Sequence, residues 1–307
     1  MKISTSALFD RATQQMSSVQ TSLAKSQAQL ASGKQIVTAS DAPDQAANIQ
    51  RLQSIINRQD SYASTLGSVQ TRLKNEESSL QSVSNLLLRV KEISVQVANS
   101  TLAPTDRQAL ALEMGGLRDQ MLSLANSQDS SGNYLFAGSR VTQPAFAADA
   151  AGGVTYQGDQ TRMTVSVGDQ RSVQLNRSGS DAFVRVVRQD STGAKTGVGF
   201  FQAIDDLTAA IKGSDPAGMQ RGIGEMDALQ NGVSLSLAQV GTDMNVADAQ
   251  TAVLDDTRLN LKSALSAVQD LDYASAITQM NKQMLSLEAA QSSFGKVSKL
   301  SLFDYIR

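Results

Sequence analysis

The chain has 307 residues, its 27 basic side chains nearly balance its 29 acidic ones, and it contains no cysteine, histidine or tryptophan. Balanced charge argues against a nucleic-acid or anionic-membrane partner, and without cysteine or histidine the usual ligands for zinc, copper and haem are missing. We therefore expect no cofactor and no metal site, and the aromatic content of 4% favours slender helical bundles over a thick globular core.

The first predicted element is an amphipathic helix within a segment of residues 1–40. Gly33 predicts its C-terminal end, because glycine readily adopts the left-handed conformation of a helix cap. Residues 34–39 are predicted to be extended, and Asp41 and Pro43 indicate the start of the next helix. Heptad spacing lays one apolar stripe along the first helix, here called the N-terminal seam: Phe9, Ala12, Met16, Val19, Leu23, Ser26 and Leu30.

The segment 41–141 contains the longest predicted helix, which begins near residue 44, ends near residue 99 and would be roughly 80 Å long. Its heptad stripe is interrupted by Glu76 and Ser94. Pro104 begins a third helix, which continues through a pair of glycines. We assign the stripe of the long helix to the core of a helical rod, with these residues: Tyr62, Leu66, Val69, Leu73, Leu80, Val83, Leu87 and Val90, followed by Val97.

Residues 142–195 have a different pattern and predict a small β domain. Apolar and polar residues alternate with a period of two, as in strands with one buried face, within 154–156, 163–167 and 173–175. Glycine–aspartate pairs between these runs predict turns at 158–159 and 168–169. The packed joint between the rod and the β domain is expected to contain Tyr134, Leu135, Phe136 and Phe146.

Helix returns near Phe200, and a second long stripe follows Pro216 in the segment 196–270. A change of heptad frame around residues 270–274 indicates that the helix changes the partner that it faces. We therefore begin a terminal segment at 271–307. The rod-core residues of the second stripe are Ile223, Met226, Val233, Leu237, Val240, Leu261, Leu265 and Val268. The C-terminal seam consists of Ile277, Met280, Met284, Leu287, Phe294, Leu300, Phe303 and Ile306.

Together these elements predict a mainly α fold, a long antiparallel helical coiled-coil rod built from both chain ends with a small β domain inserted in the middle. Segments 1–40 and 271–307 would be the two halves of a terminal coiled-coil domain, and 41–141 and 196–270 the two halves of the rod. We expect the rod stripes to form core within one chain. For the two terminal seams, the spacing leaves open whether they pack within one chain or between chains.

No residue pattern predicts catalysis, so we expect a non-enzymatic protein. Residues 293–296 match the S-x-x-K pattern of serine acylases, but the companion motifs are missing. Residues 32–34 lack the first glycine of a phosphate-binding loop. Adjacent carboxylates on a helix point about 100° apart, so we interpret these pairs as solvated faces: 76–77, 205–206 and 255–256.

Several stretches of this sequence resemble the flagellin superfamily. Residues 30–36, followed by 39–42 and Ala46, are similar to the flagellin N-terminal signature. The resemblance is closer to the hook-associated proteins of the distal hook–filament junction, and it lies in residues 1–5, 132–138, 144–146, 156–159 and 271–306. Pro43 and Ala145 depart from the pattern, but the resemblance covers nearly the whole chain.

This resemblance implies a structural subunit of the bacterial flagellum whose terminal helices form a coiled-coil layer and whose β domain faces outward. It implies export of the unfolded chain through the flagellar type III channel without a cleavable signal peptide, and an extracellular location. The implied partners are further copies of the chain, a hook-associated protein on the hook side, flagellin on the filament side, and a cytoplasmic chaperone bound to the C-terminal region. The alternatives are a short flagellin of the filament itself and, from another class, a cytoplasmic coiled-coil signalling rod.

Overall fold

A computed structural model describes residues 2–98, 102–149, 152–189 and 194–303. Its helices are α1 (Lys2–Ser32), α2 (Pro43–Val97), α3 (Pro104–Ala125), α4 (Gly179–Ala182), α5 (Phe200–Lys212), α6 (Pro216–Gln269) and α7 (Tyr273–Phe303). Its strands are β1 (Phe146–Ala148), β2 (Val154–Tyr156), β3 (Thr164–Ser166), β4 (Ser172–Gln174), β5 (Val186–Gln189) and β6 (Lys195–Val198). The predicted fold class, mainly helical with a small strand-containing insertion, is confirmed.

Local chemistry explains where the long helices begin and end. Pro43, Pro104 and Pro216 each occupy the first helical position, where the missing N–H of proline costs no hydrogen bond. Gly33 ends α1 with a φ of 68°, and its N–H donates to the carbonyl of Gln29 at 2.8 Å. A side chain at this φ is strained, so the predicted glycine cap has a clear physical basis.

The strands form three separate antiparallel hairpins, β1–β2, β3–β4 and β5–β6. In the second hairpin Val165 pairs with Val173, and the predicted turn at residues 168–169 lies in its connection. The pair at 158–159 instead joins the first hairpin to the second. The third hairpin was not predicted from the sequence, and its last strand continues beyond the predicted end of the β domain at residue 195.

The chain divides into two compact units. Unit 1 comprises residues 1–59 and 256–307, and unit 2 comprises residues 60–255. Helices α2 and α6 contribute residues to both. The domain boundaries predicted from the sequence, after residues 40 and 270, lie in the connections α1–α2 and α6–α7.

Unit 2 has a well-buried core. Every member of the α2 stripe from Leu66 to Val90, including its polar break Glu76, is at most 2% exposed. On α6, Met226, Val233 and Val240 are at most 1% exposed, whereas Ile223 and Leu237 are half-buried, as is Tyr62 on α2. The remaining predicted rod-core residues are half-buried and belong to unit 1 instead: Leu261, Leu265 and Val268.

Two of the carboxylate pairs are not the solvated faces predicted from the sequence. Glu76 is 1% exposed, because it occupies a position in the buried stripe of α2. Asp205 is paired with Arg118, with Oδ1 at 3.1 Å from Nε, and Asp206 is paired with Arg188. Burial raises the pKa of Asp205. Asp205 and Asp206 therefore connect α5 to Arg118 and Arg188 within unit 2.

Candidate assembly surface

Helices α1 and α7 pack against each other in antiparallel orientation within unit 1. Near the start of α1 the ring of Phe9 meets Phe294 edge-on, with ring centroids 5.4 Å apart and planes at 89°. Near its end, Ser26 Oγ donates to Gln283 Oε1 at 2.9 Å. Just beyond the helix, the N–H of Leu271 donates to the carbonyl of Gly33 at 3.0 Å. The two helices are thus in contact over the described range from Phe9 to Gly33.

The start of α7 is fixed by a side-chain cap, at the place where the heptad frame changes. Asp272 Oδ1 accepts from the N–H of Ala274 at 3.0 Å, and Asp272 Oδ2 accepts from Ser275 Oγ at 2.8 Å. These hydrogen bonds, that of the Ser275 hydroxyl first, lower the pKa of Asp272. The cap satisfies N–H groups that the first turn of a helix leaves free.

The row of α7 that faces α1 differs in part from the predicted seam. The half-buried positions follow steps of four and three and are Ala276, Met280, Gln283, Leu287, Ala290 and Phe294. Ile277 and Met284, both predicted members of the seam, are 45% and 50% exposed. This row has small or polar side chains at 276, 283 and 290, and the neighbouring row, one residue further round the helix, faces solvent. Packing within the chain therefore leaves part of the apolar surface of α7 uncovered.

The N-terminal seam is also incompletely covered. Phe9, Ala12, Met16, Val19, Leu23 and Leu30 are each half-buried. Only Ser26 on this stripe is buried, at 6% exposure. Within the described side chains of unit 1, the buried apolar residues are Ile49 and Ile56, both on α2 and both 8% exposed. The terminal helices thus share a contact but do not build a closed core.

An apolar groove follows the contact between α1 and α7. Its volume is about 350 Å³, and its apolar lining comes from Phe9, Ala12, Met16, Val19, Ala290 and Phe294. Leu285, at 69% exposure, adds further apolar surface on α7 outside the seam. The side chains of Leu300 and Phe303 and the whole of Ile306, three further members of the predicted C-terminal seam, lie outside the described part of the structure.

The connection after α1 is held by an ion pair. Lys25 Nζ lies 2.9 Å from Asp41 Oδ1, and the N–H of Thr38 donates to Asp41 Oδ2 at 3.1 Å. The hydrogen bond from Lys25, followed by that from Thr38, lowers the pKa of Asp41 to about 2. Asp41 therefore stays charged over the neutral range, and it connects the start of α2 to α1.

The predicted joint in unit 2 is part of a larger aromatic cluster. Leu135 and Phe136 are fully buried, Phe146 is 6% exposed, and Tyr134 is half-buried. Phe183, which the sequence did not single out, lies at the centre of the cluster. Its ring centroid is between 5.1 and 6.1 Å from those of Phe136, Phe146, Phe200 and Phe201. The paired phenylalanines at the start of α5 were the sequence feature that could have indicated these additional members.

The residues near 138 and 159 fit together closely beside this cluster. Gly138 has a φ of 69°, and a Cβ there would lie 2.4 Å from the carbonyl oxygen of Asp159, so only glycine fits. Ser139 donates through both its hydroxyl and its N–H to the Asp159 carboxylate, which lowers the pKa of Asp159 to about 2. The Tyr156 hydroxyl donates to the carbonyl of Asp159 at 2.7 Å. These contacts hold the turn at residues 138–139 against residues 156–159 and explain why a glycine is needed at position 138.

Among the described residues, no group of three or more acidic side chains is placed to bind a metal ion. None of the described helices has an apolar stretch long enough to span a membrane.

Comparison with known proteins bears on both terminal helices. The family model of the bacterial flagellin N-terminal helical region matches residues 3–141. Flagellar hook-associated protein 3 of Salmonella typhimurium is 27% identical over 320 residues, which cover 100% of this chain and 100% of that protein. Polar flagellin F of Vibrio parahaemolyticus is 26% identical over 86% of this chain and 87% of that protein. The crystal structure of FlgL from Xanthomonas campestris gives a TM-score of 0.62 at 25% identity, over 71% of this chain and 99% of that one.

Proposed function

We propose that the chain is a member of the flagellin superfamily and a structural subunit of the bacterial flagellum that serves as an adaptor at the hook–filament junction. The match to hook-associated protein 3 extends over the full length of both chains, whereas the match to polar flagellin F leaves part of each chain uncovered. The relatives are structural proteins, and the proposed role requires no catalysis.

The observation that carries the proposed assembly is the incomplete cover of α1 and α7. Fully burying a large aliphatic side chain stabilises a structure by about 1.5–3 kcal/mol. Ile277 and Met284 retain about half of their surface in solvent, and the N-terminal seam is half-buried. A neighbouring subunit that covers these rows would recover the rest of that free energy. In our proposal, α1 and α7 of one subunit pack against the terminal helices of the next.

The chain interacts with other flagellar components as part of the extracellular flagellum. We propose in addition that copies of the chain form a ring or short helical layer, with a hook-associated protein on one side and flagellin on the other. A cytoplasmic chaperone would hold the C-terminal region before export, and the unfolded chain would pass through the type III channel. The absence of cysteine is compatible with this route, because no disulfide can cross-link the unfolded chain.

Deletion of the gene tests the junction role against the alternative of a filament flagellin. If the chain is a junction adaptor, deleted cells should make complete hooks but release flagellin into the medium as unattached monomers, and restoring the gene should restore filaments. If the chain were the filament subunit, the deletion would instead remove the released flagellin itself. Complete, attached filaments in the deleted strain would contradict both roles.

A further inference from the structure

A buried ionic cluster in unit 2 takes no part in the proposed assembly. Its centre is Glu76 on α2, which is 1% exposed. Arg72, one turn earlier on α2, has Nε 3.7 Å from Glu76 Oε1. Arg177, from the connection between β4 and α4, has Nε 4.0 Å from Glu76 Oε2. The two arginine side chains are 8% and 6% exposed, so all three charged groups are largely removed from water.

On one side, Arg72 connects α2 to the segment that follows α3. Its Nη1 donates to Asp129 Oδ2 at 2.9 Å, and its Nη2 donates to the carbonyl of Leu135 at 3.0 Å. Asp129 Oδ1 in turn accepts from the N–H groups of Ser131 and Asn133, which holds that turn in place. Arg72 therefore already has a carboxylate partner closer than Glu76.

On the other side, Arg177 connects the segment after β4 to α6. Its Nη2 donates to Asp243 Oδ2 at 2.9 Å, and its Nη1 donates to Gln239 Oε1 at 2.5 Å. Asp243 is thus the closer carboxylate partner of Arg177. Each guanidinium group in the cluster is paired with a carboxylate other than Glu76.

Glu76 is consequently the third carboxylate in a cluster that has two cations. With all five groups ionised, the cluster would carry one net negative charge. Asp129 and Asp243 are partly exposed, at 17% and 30%, so the charge that water cannot solvate is that of Glu76, and its ionisation is costly. Glu76 Oε1 and the Nε atoms of both arginines are buried without a hydrogen-bond partner. Burial raises the pKa of Glu76 to about 7, against the attraction of Arg72 and Arg177 and with a smaller contribution from Asp243 in the same direction.

We propose that Glu76 is the proton-binding site of a pH-sensitive latch in unit 2. With its proton bound, the cluster is neutral and holds the segments 129–135 and 175–178 against α2 and α6. Ionisation of Glu76 leaves an excess buried negative charge and weakens that hold. Grooves of about 440 Å³ beside Arg72 and 180 Å³ beside Arg177 provide room for water to reach the cluster from either side.

The sign of the effect follows from proton linkage. A carboxyl whose pKa rises from 4.5 to about 7 on folding binds its proton more tightly in the folded state. Its contribution to stability is therefore greatest below pH 4.5, falls as the pH rises from 4.5 to about 7, and is constant above about pH 7. The folded-to-unfolded ratio should fall by roughly 300-fold across the window on account of this one group.

The test uses the full chain, unfolded with urea at a series of pH values and followed by circular dichroism. Glu76→Gln should remove the fall in stability between about pH 4.5 and 7. Glu225→Gln is the matched control, because Glu225 is likewise a buried carboxylate on a helix, at 9% side-chain exposure, but lies at 2.5 and 2.8 Å from Arg188 nitrogens. This control should lower stability overall and retain the wild-type fall. Equal pH dependence of wild type and Glu76→Gln would overturn the proposal.

A direct measurement keeps the test decisive if Glu76→Gln does not fold. The chain has six glutamates, so ¹³C labelling of their side-chain carboxyls gives a simple NMR spectrum. In the folded wild-type protein one of these carboxyl resonances should titrate with a midpoint near pH 7, because burial raises the pKa of Glu76 to about 7. If all of them titrate in the ordinary acid range, Glu76 is not the proton site.

Discussion

The exposed row of α7 gives the most direct prediction about assembly. In the double variant Ile277→Gln/Met284→Gln, glutamine keeps the helix propensity of the original residues close to unchanged. Because these side chains are 45% and 50% exposed, the free energy of unfolding of the isolated subunit should change by less than about 0.5 kcal/mol per site. The free energy of association between subunits should be reduced by more than this. About half of each side chain remains to be buried, worth roughly 1 kcal/mol each, so association should weaken by about 30-fold.

Two assays measure this effect, sedimentation velocity of the purified subunit over a range of concentrations and the number of attached filaments in a deletion strain carrying the variant. Leu235→Gln and Val187→Gln are matched controls, since both side chains are exposed apolar residues of unit 2, at 64% and 70%. The controls should associate and restore filaments like the wild type. The reasoning is refuted if the double variant does the same, or if the controls are equally impaired.

Two further predictions concern stability. Gly33→Ala places a side chain at a φ of 68° and a Cβ 2.7 Å from the Tyr273 hydroxyl, so the folded end of α1 should be destabilised by about 1–2 kcal/mol. The measurement is the rate of proteolysis at the α1–α2 connection, which should be faster than in a Gly67→Ala control, where the space around the added Cβ is open. Leu80→Ala, at a fully buried position, should lower the free energy of unfolding, measured by urea denaturation, by about 2–5 kcal/mol. Leu88→Ala, at 47% exposure, should lower it by less than about 1 kcal/mol. Similar losses for both variants would contradict the assigned core face of α2.

The heptad pattern was a good guide to unit 2 and an incomplete one to α7. On α2 a single stripe of large apolar residues exists, so the face that becomes buried can be read from the spacing. On α7 two adjacent rows compete, one with Ile277 and Met284 and one with Ala276 and Gln283. The packing of α1 selects the row with smaller side chains. That choice depends on the partner helix α1, and the sequence of α7 alone does not contain this information.

The ionic cluster shows a different limit of sequence reasoning. Glu76 was recognised as a polar interruption of the α2 stripe, but the pair 76–77 was interpreted as a solvated face, and Glu76 is buried. Its surroundings, however, come from Arg177 and Asp243, which are far away along the chain. No spacing rule predicts contacts between residues so far apart in the sequence. The heptad pattern therefore identified Glu76 as unusual without indicating its partners. The aromatic cluster around Phe183 was underestimated for the same reason.

The strands were predictable only where alternation was clear. The runs in β2, β3 and β4 each alternate apolar with polar residues over three positions. In the third hairpin, β6 reads KTGV and has one half-buried residue, Val198, at its end. A strand with so little buried surface has almost no period-two pattern, because burial on one face is what produces the alternation.

The division of the strands into three hairpins has a consequence for how this protein can vary. A two-stranded hairpin has little stability of its own, and each one here inserts one buried side chain into the unit 2 core: Phe146, Val173 and Val186. Since the described strands of different hairpins share no backbone hydrogen bonds, lengthening one hairpin at its tip leaves the pairing of the other two intact. An insertion at the turn of the second hairpin would still have to preserve the hydrogen bonds that hold it to the long helices, from the Tyr62 hydroxyl to Asp169 Oδ1 and from Gln250 Nε2 to the carbonyl of Val167, both at 3.2 Å.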